Sequence, residues 1–207
     1  GEKKGLPDGG WGWVVCMGSF VIHHNVLGLQ YSFGVLYKAL LDDPSMSEGS
    51  SSAGSASVGV IATALMLGFS VMTGPLVTRH GARTVSGTGA VLVAVGLYLA
   101  SFSPSVTVLY CTYSLIAGLG FSMLWAPCVM IVSLWFDRRR TLAVGMAVAG
   151  SGIGTLVLAQ VCESLVASYG WRGALQVLSV GTGILNIASA ATFSKPDSAS
   201  GGSGQAP

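Results

Sequence analysis

Long apolar runs separated by short charged breaks dominate the chain. Positions 13–37 carry no Asp, Glu, Lys or Arg, a length that crosses a bilayer as one helix. Five further apolar runs follow at 58–77, 84–102, 106–136, 142–166 and 174–193. The pattern predicts an all-α membrane protein whose six transmembrane helices occupy about 11–37, 58–78, 84–102, 106–136, 141–167 and 173–193. Residues 1–10 read as a short cytoplasmic lead. From 194 to 207 the chain turns to Ser, Gly and Pro and reads as a disordered linker or tail. The long loop after the first run carries Asp42, Asp43 and Glu48 and then a Ser/Gly/Ala stretch, 49–57, expected to be flexible.

The door of the first run is Asp8-Gly9-Gly10-Trp11-Gly12-Trp13. An acid there faces the positive end of the helix dipole. Trp11 and Trp13 suit the headgroup boundary, where the ring is apolar and its N–H stays hydrated. The glycines leave room for close packing on the first turn.

Composition agrees with a membrane protein. Charged residues are 9% of the chain, against about 25% in ordinary soluble domains; hydrophobic residues are 51% and the mean hydropathy is +0.68. The net charge of +2 matters less than its distribution. If the runs alternate, Lys3, Lys4, Arg79, Arg83, Arg138, Arg139, Arg140 and Lys195 share one side, and only Lys38 and Arg172 take the other. The positive-inside rule then puts both termini in the cytoplasm and requires an even number of spans. The expected location is the plasma membrane. Cys16, Cys111, Cys128 and Cys162 all lie inside apolar runs without metal spacing, so neither a disulfide framework nor a metal site is implied, and no cofactor is expected. The first apolar run is too long for a cleavable signal and is expected to remain as a span.

A weak internal repeat is visible. His80-Gly81-Ala82-Arg83 and Tyr169-Gly170-Trp171-Arg172 lie 89 residues apart, at the second turn of each half of the membrane region. A three-plus-three inverted repeat makes these turns equivalent on opposite sides of the membrane. Gly150-Ser151-Gly152-Ile153-Gly154 contains a Gly-x-x-x-Gly pair, and Gly145, Ala149 and Ile153 fall on a neighbouring stripe. Such spacing serves static helix packing or interfaces smooth enough to slide; sequence leaves both open.

Four blocks carry a resemblance. Pro7-Asp8-Gly9-Gly10-Trp11-Gly12-Trp13 resembles the first-helix signature of the monocarboxylate transporter family within the major facilitator superfamily. Trp135-Phe136-Asp137-Arg138-Arg139-Arg140-Thr141-Leu142-Ala143-Val144-Gly145, continuing through Ala149, Gly150, Ser151 and Gly152, resembles the second signature, at the fifth helix. Tyr169-Gly170-Trp171-Arg172-Gly173-Ala174-Leu175 and the stretch from Gly74-Pro75-Leu76-Val77 to Gly81 and Arg83 match further family positions in order. The resemblance implies a major facilitator N-terminal half, with substrate held near the bilayer midplane against a C-terminal six-helix half. It implies a carrier for a small organic anion, with a proton as candidate co-substrate. It further gives Arg79, Gly81 and Arg83 a part in the cytoplasmic gate, and Arg140 a part in transport. The usual acid of the gate motif is not evident, Thr78 and Arg79 occupying that region.

Residue by residue, two readings compete. Asp8 is a coupling residue or a helix cap paired with a cytoplasmic arginine. Arg138, Arg139 and Arg140 are positive-inside anchors or transport residues. His23 and His24 fall near the middle of the first span, where ionisable groups are expensive and usually face a cavity or a partner. Helical spacing aligns His24, Tyr31 and Lys38 on one stripe, His23 and Gln30 on a second, and Asn25 and Ser32 on a third. That arc is wide enough to line a path, together with Val144 and Val148. The histidines are either neutral and bonded to a neighbouring helix, or one accepts a proton, since imidazole changes charge near physiological pH. The resemblance also exposes two departures. Tyr31 stands where proton-coupled lactate carriers have lysine, and Val144 where they have asparagine. The substrate is thus expected to be larger, aromatic or amino-acid-like, or differently coupled.

Two function classes remain. One is transport of a monocarboxylate or related metabolite by alternating access, as part of a twelve-helix carrier. The other is a non-transporting six-helix protein that regulates or scaffolds a full-length relative or accessory membrane partner. An enzyme is not expected, since no nucleophile–base spacing, metal cluster or phosphate loop occurs, and neither is nucleic-acid binding.

Overall fold

The computed structural model describes residues 9–47 and 52–194. Asp8, Glu48, the lysines at 3, 4 and 195 and the expected tail at 195–207 lie outside the described residues. Helix α1 (Trp11–Tyr31) starts after Gly10, whose φ of 60° suits glycine. A Cβ at Gly12 would lie 3.1 Å from the ring of Phe136. Trp13 meets that ring edge-on, with centroids 5.0 Å apart. The indole N–H of Trp11 donates to the Thr192 carbonyl at 3.1 Å. The entry motif therefore fastens α1 to two other chain segments, and the Trp11 N–H is spent on protein.

The first apolar run is not one straight helix. Ser32 separates α1 from α2 (Phe33–Leu41), and the four-residue α3 (Pro44–Ser47) follows. Helix α4 (Ser52–His80) begins well inside the stretch expected to be flexible. Tertiary bonds explain that correction: the Tyr110 hydroxyl donates to the Gly54 carbonyl at 2.6 Å, and Ser114 donates to the Val58 carbonyl at 2.7 Å. After Gly81 comes α5 (Ala82–Ala100). The next run is α6 (Val106–Leu109), a π-helical stretch Tyr110–Ala117 and α7 (Gly118–Trp135). Hydrophobic patterning has no signal for that wider turn.

Helix α8 (Arg140–Ala191) is 52 residues long and breaks at Gly170, where φ is 69° and ψ 173°. Contacts with α1 show that the chain reverses there. The Cys16 thiol donates to the Ala143 carbonyl, while Gly150 packs on Phe20 and Gly154 on His24. The first arm thus runs parallel to α1. On the second arm, Thr192 and Ser189 pack on Gly18, Asn186 pairs with Asn25, and Trp171 donates to Asp43 at 2.8 Å. That arm runs antiparallel. Five helical stretches among the described residues are long and apolar enough to cross a membrane, and α8 is the folded-back one.

The turn glycines Gly81 (φ 84°, ψ 151°) and Gly170 share one backbone conformation. Ala94 and Gly183, also 89 positions apart, pack directly on each other, a Cβ at Gly183 lying 2.9 Å from that of Ala94. Arg79, Arg83 and Arg138 to Arg140 gather at the end of the bundle near Trp11 and Thr192, and Lys38, Asp42, Asp43 and Arg172 at the other.

Lipid tails supply no hydrophobic drive between helices, so close approach must hold the bundle. A Cβ at Gly28 would meet the Gly154 carbonyl oxygen at 2.8 Å, and one at Gly120 the Gly89 carbonyl oxygen at the same distance. A Cβ at Gly152 meets nothing within 4 Å. The Gly154→Ala variant should lose about 1–3 kcal/mol of stability, and Gly152→Ala close to none. Thermal unfolding in detergent checks this; equal melting points would refute the packing role.

Candidate functional site

The first arm of α8 divides its residues between a packed and an open face. Ala143, Ala147, Gly150, Gly154, Leu158 and Cys162 are buried, Gly150 and Gly154 against α1. Gly145 and Gly152 are exposed. The signature glycines therefore do two jobs: Gly150 lets backbones touch, whereas Gly145 and Gly152 keep an open face shallow.

That open face carries a groove. One cavity of about 530 Å³ is lined by Val129 and Ser133 of α7 and by Arg140, Thr141, Val144, Gly145 and Val148. A second, of about 380 Å³, shares Val129, Ser133 and Arg140 and extends to Val77 and Thr78 of α4. Both fall in the size range of small-ligand sites. The structure thus brings the expected Val144 and Val148 together with Arg140. Arg140 is the first residue of α8, and no acid occupies that helix's first turn. A cation at a helix N-terminus works against the macrodipole by about 0.3–1 kcal/mol. Both fields there favour an anion. Arg138 and Arg139 precede it in the same turn and do not line these cavities.

A family model described as Major Facilitator Superfamily matches residues 13–207. The chain belongs to this superfamily. Among its relatives, monocarboxylate transporter 11 of Mus musculus is 38% identical over 181 residues, covering 87% of this chain and 40% of that protein. Monocarboxylate transporter 9 of Pongo abelii is 37% identical over 195 residues, covering 94% of this chain and 37% of that protein. The chain therefore spans about two fifths of the curated relatives it matches. A crystal structure of the peptide transporter POT superposes with a TM-score of 0.73 over 90% of this chain and 40% of that one, at 17% identity. That likeness shows the superfamily fold.

The polar arc of α1 is narrower than helical spacing suggests. Tyr31, 68% exposed, and Lys38 face outward, with His24 half-buried on the same stripe. His23, Asn25, Gln30 and Ser32 turn into the bundle. The ring Nδ1–H of His23 donates to the Ser19 carbonyl of its own helix at 2.8 Å, and the His24 ring sits 3.3 Å from Asn25 Oδ1. Neither bond reaches a neighbouring helix. Gln30 accepts from Thr63 at 3.2 Å and points its amide at the Met66 sulfur. Neither His24 nor Tyr31 lines the Arg140 groove. Gly154, packed on the His24 backbone, lies about 9 Å beyond Val148 along the helix axis. Gly81 joins Arg79 and Arg83 at a separate cavity.

Sequence reading passed over three polar residues inside the apolar runs. Ser133 is a lone hydroxyl in an apolar run. Asn186 completes a buried amide pair with Asn25 at 2.9 Å, and a lone Asn in the last run was the available signal. Glu163 is an exposed acid on the first arm, the one carboxylate inside the fifth run. Truncation by Asn25→Ala leaves Asn186 without its partner in an apolar interior and should cost about 1–3 kcal/mol. Replacing both asparagines by leucine should cost less than that. Chemical unfolding of the three proteins checks the order; a double variant less stable than Asn25→Ala would contradict it.

Proposed function

We propose that the chain is the N-terminal half of a secondary carrier that moves a monocarboxylate or related small organic anion by alternating access. The observation that carries this is the open groove with Arg140 at its mouth. There a guanidinium and a helix N-terminus offer charge-assisted bonds to a carboxylate, and Val129, Val144 and Val148 offer an apolar wall. The relatives' names agree with the substrate class. The chain's share of their length supports a second half that closes over this face.

In this reading the helices make six crossings, because α8 doubles back at Gly170 and each arm is long enough to span. The shared glycine conformation and the Ala94–Gly183 contact support a three-plus-three inverted repeat. The arginine-rich end is cytoplasmic and holds both termini, and the membrane is the plasma membrane, as the family resemblance implies. A coupled proton is taken by His24, the half-buried imidazole on the exposed stripe of α1. Arg79 and Arg83 belong to the cytoplasmic gate.

Uptake by the complete carrier in proteoliposomes tests this. Losing one charge-assisted bond through Arg140→Gln should lower carboxylate uptake roughly tenfold or more, with normal insertion. Tyr31→Lys should raise the affinity for a small carboxylate, because it supplies the amine that lactate carriers of the resembling family have at this position. His24→Ala should flatten the pH profile. Undiminished uptake in Arg140→Gln would sink the groove assignment.

A further inference from the structure

A separate basic cavity lies on another side of α7. It holds about 410 Å³ and is walled by Arg79, His80 and Arg83 of the α4–α5 turn, with Ile131, Phe193 and Ser194. None of these residues lines the Arg140 groove. Among the described residues, no hydrogen bond or ion pair reaches the Arg79 or Arg83 side chain. Ile131 and Phe193, which also line the cavity, are 1% and 2% exposed. The indole N–H of Trp135 donates to the Ser194 carbonyl at 2.8 Å, which fixes the rim. Tryptophan at a helix end marks headgroup depth.

Two guanidinium groups on one cavity suit phosphate oxygens, which they bind as planar forks. Repulsion between two unpartnered arginines in one cavity is relieved when an anion bridges them. Ile131 and Phe193 are covered by the protein itself, so what favours an esterified phosphate is the cavity's place at headgroup depth. Basic pockets between membrane helices at headgroup depth take anionic lipids.

We propose that this cavity binds the phosphate of an anionic phospholipid, held by Arg79 and Arg83. The inference is independent of what the carrier transports, and the Arg140 groove plays no part in it. The shared chemistry is a phosphoester, so the test includes a soluble one.

The complete carrier, purified in a neutral detergent, is titrated with phosphatidylglycerol, phosphatidylcholine and glycerol phosphate. Native mass spectrometry reads the bound fraction. Phosphatidylglycerol should bind about tenfold tighter than phosphatidylcholine. The Arg79→Gln/Arg83→Gln double variant should lose about tenfold in phosphatidylglycerol affinity. Arg138→Gln/Arg139→Gln, which removes the same charge outside the cavity, should keep it. If the first double variant loses its helical circular dichroism, Arg79→Lys/Arg83→Lys serves instead and should bind severalfold more weakly, because an ammonium lacks the planar fork. Equal losses in the Arg79/Arg83 and Arg138/Arg139 variants, or equal binding of both lipids, would overturn the site. Glycerol phosphate binding as tightly as phosphatidylglycerol would overturn the lipid as occupant.

Discussion

Backbone contact between α1 and the two arms of α8 is the constraint on which the rest of the structure depends. Gly150 and Gly154 admit the Phe20 and His24 backbones from one arm, and Gly18 admits Ser189 and Thr192 from the other. At Gly150 and Gly154 no side chain larger than hydrogen fits, and at Gly18 a Cβ would meet the Thr192 hydroxyl, so α1 is clasped in a hairpin whose bend is Gly170. In lipid, where apolar burial gives no net drive, this proximity is the main source of helix adhesion. It also positions the amide pair Asn25–Asn186, which adds a directional lock at the same interface.

Clasping α1 decides which surfaces are left over. One face of the first α8 arm is consumed by α1, and the remaining residues divide by chemistry. Leu142, Met146, Ile153 and Val157 form an exposed apolar flank suited to acyl chains. Thr141, Val144, Gly145, Val148, Ser151 and Thr155 form a flank of small and weakly polar groups, the first four on the Arg140 groove. Arginines gather where the helices begin and end at one side of the bundle, and the two basic cavities there are separated by α7. The Arg140 groove and the Arg79–Arg83 cavity thus lie at one end of the bundle with no lining residue in common.

Much of this was legible in the apolar runs. Length and charge gave the helical runs, and the glycine and tryptophan motifs gave the contacts' addresses. What remained hidden arises from tertiary context. Helix α4 starts at Ser52, inside a Ser/Gly/Ala stretch, because Tyr110 and Ser114 bond its carbonyls, which propensity cannot foresee. Ser32 breaks the first run, and the π-helical turn faces it through the Phe33–Tyr113 ring contact at 5.1 Å. Both are irregularities of backbone rather than of pattern. For the candidate site, period alone placed His23, Asn25 and Gln30 on an open arc. Their burial follows from how closely α1 is clasped, and a helical wheel carries no information about that. Arg140, Val144 and Val148 lie within a little over two turns of a single helix, a grouping that helical spacing carries by itself.

Site-directed spin labelling along 141–157 of the complete carrier tests the central claim most directly, read as accessibility to a water-soluble and a lipid-soluble relaxer. Labels at 144, 145, 148 and 151 should be relaxed by the water-soluble agent, those at 142, 146, 153 and 157 by the lipid-soluble one, and those at 143, 147 and 150 by neither. Lipid-type relaxation at 144, 145 and 148 would contradict the account, because the groove would then face acyl chains and not a substrate path.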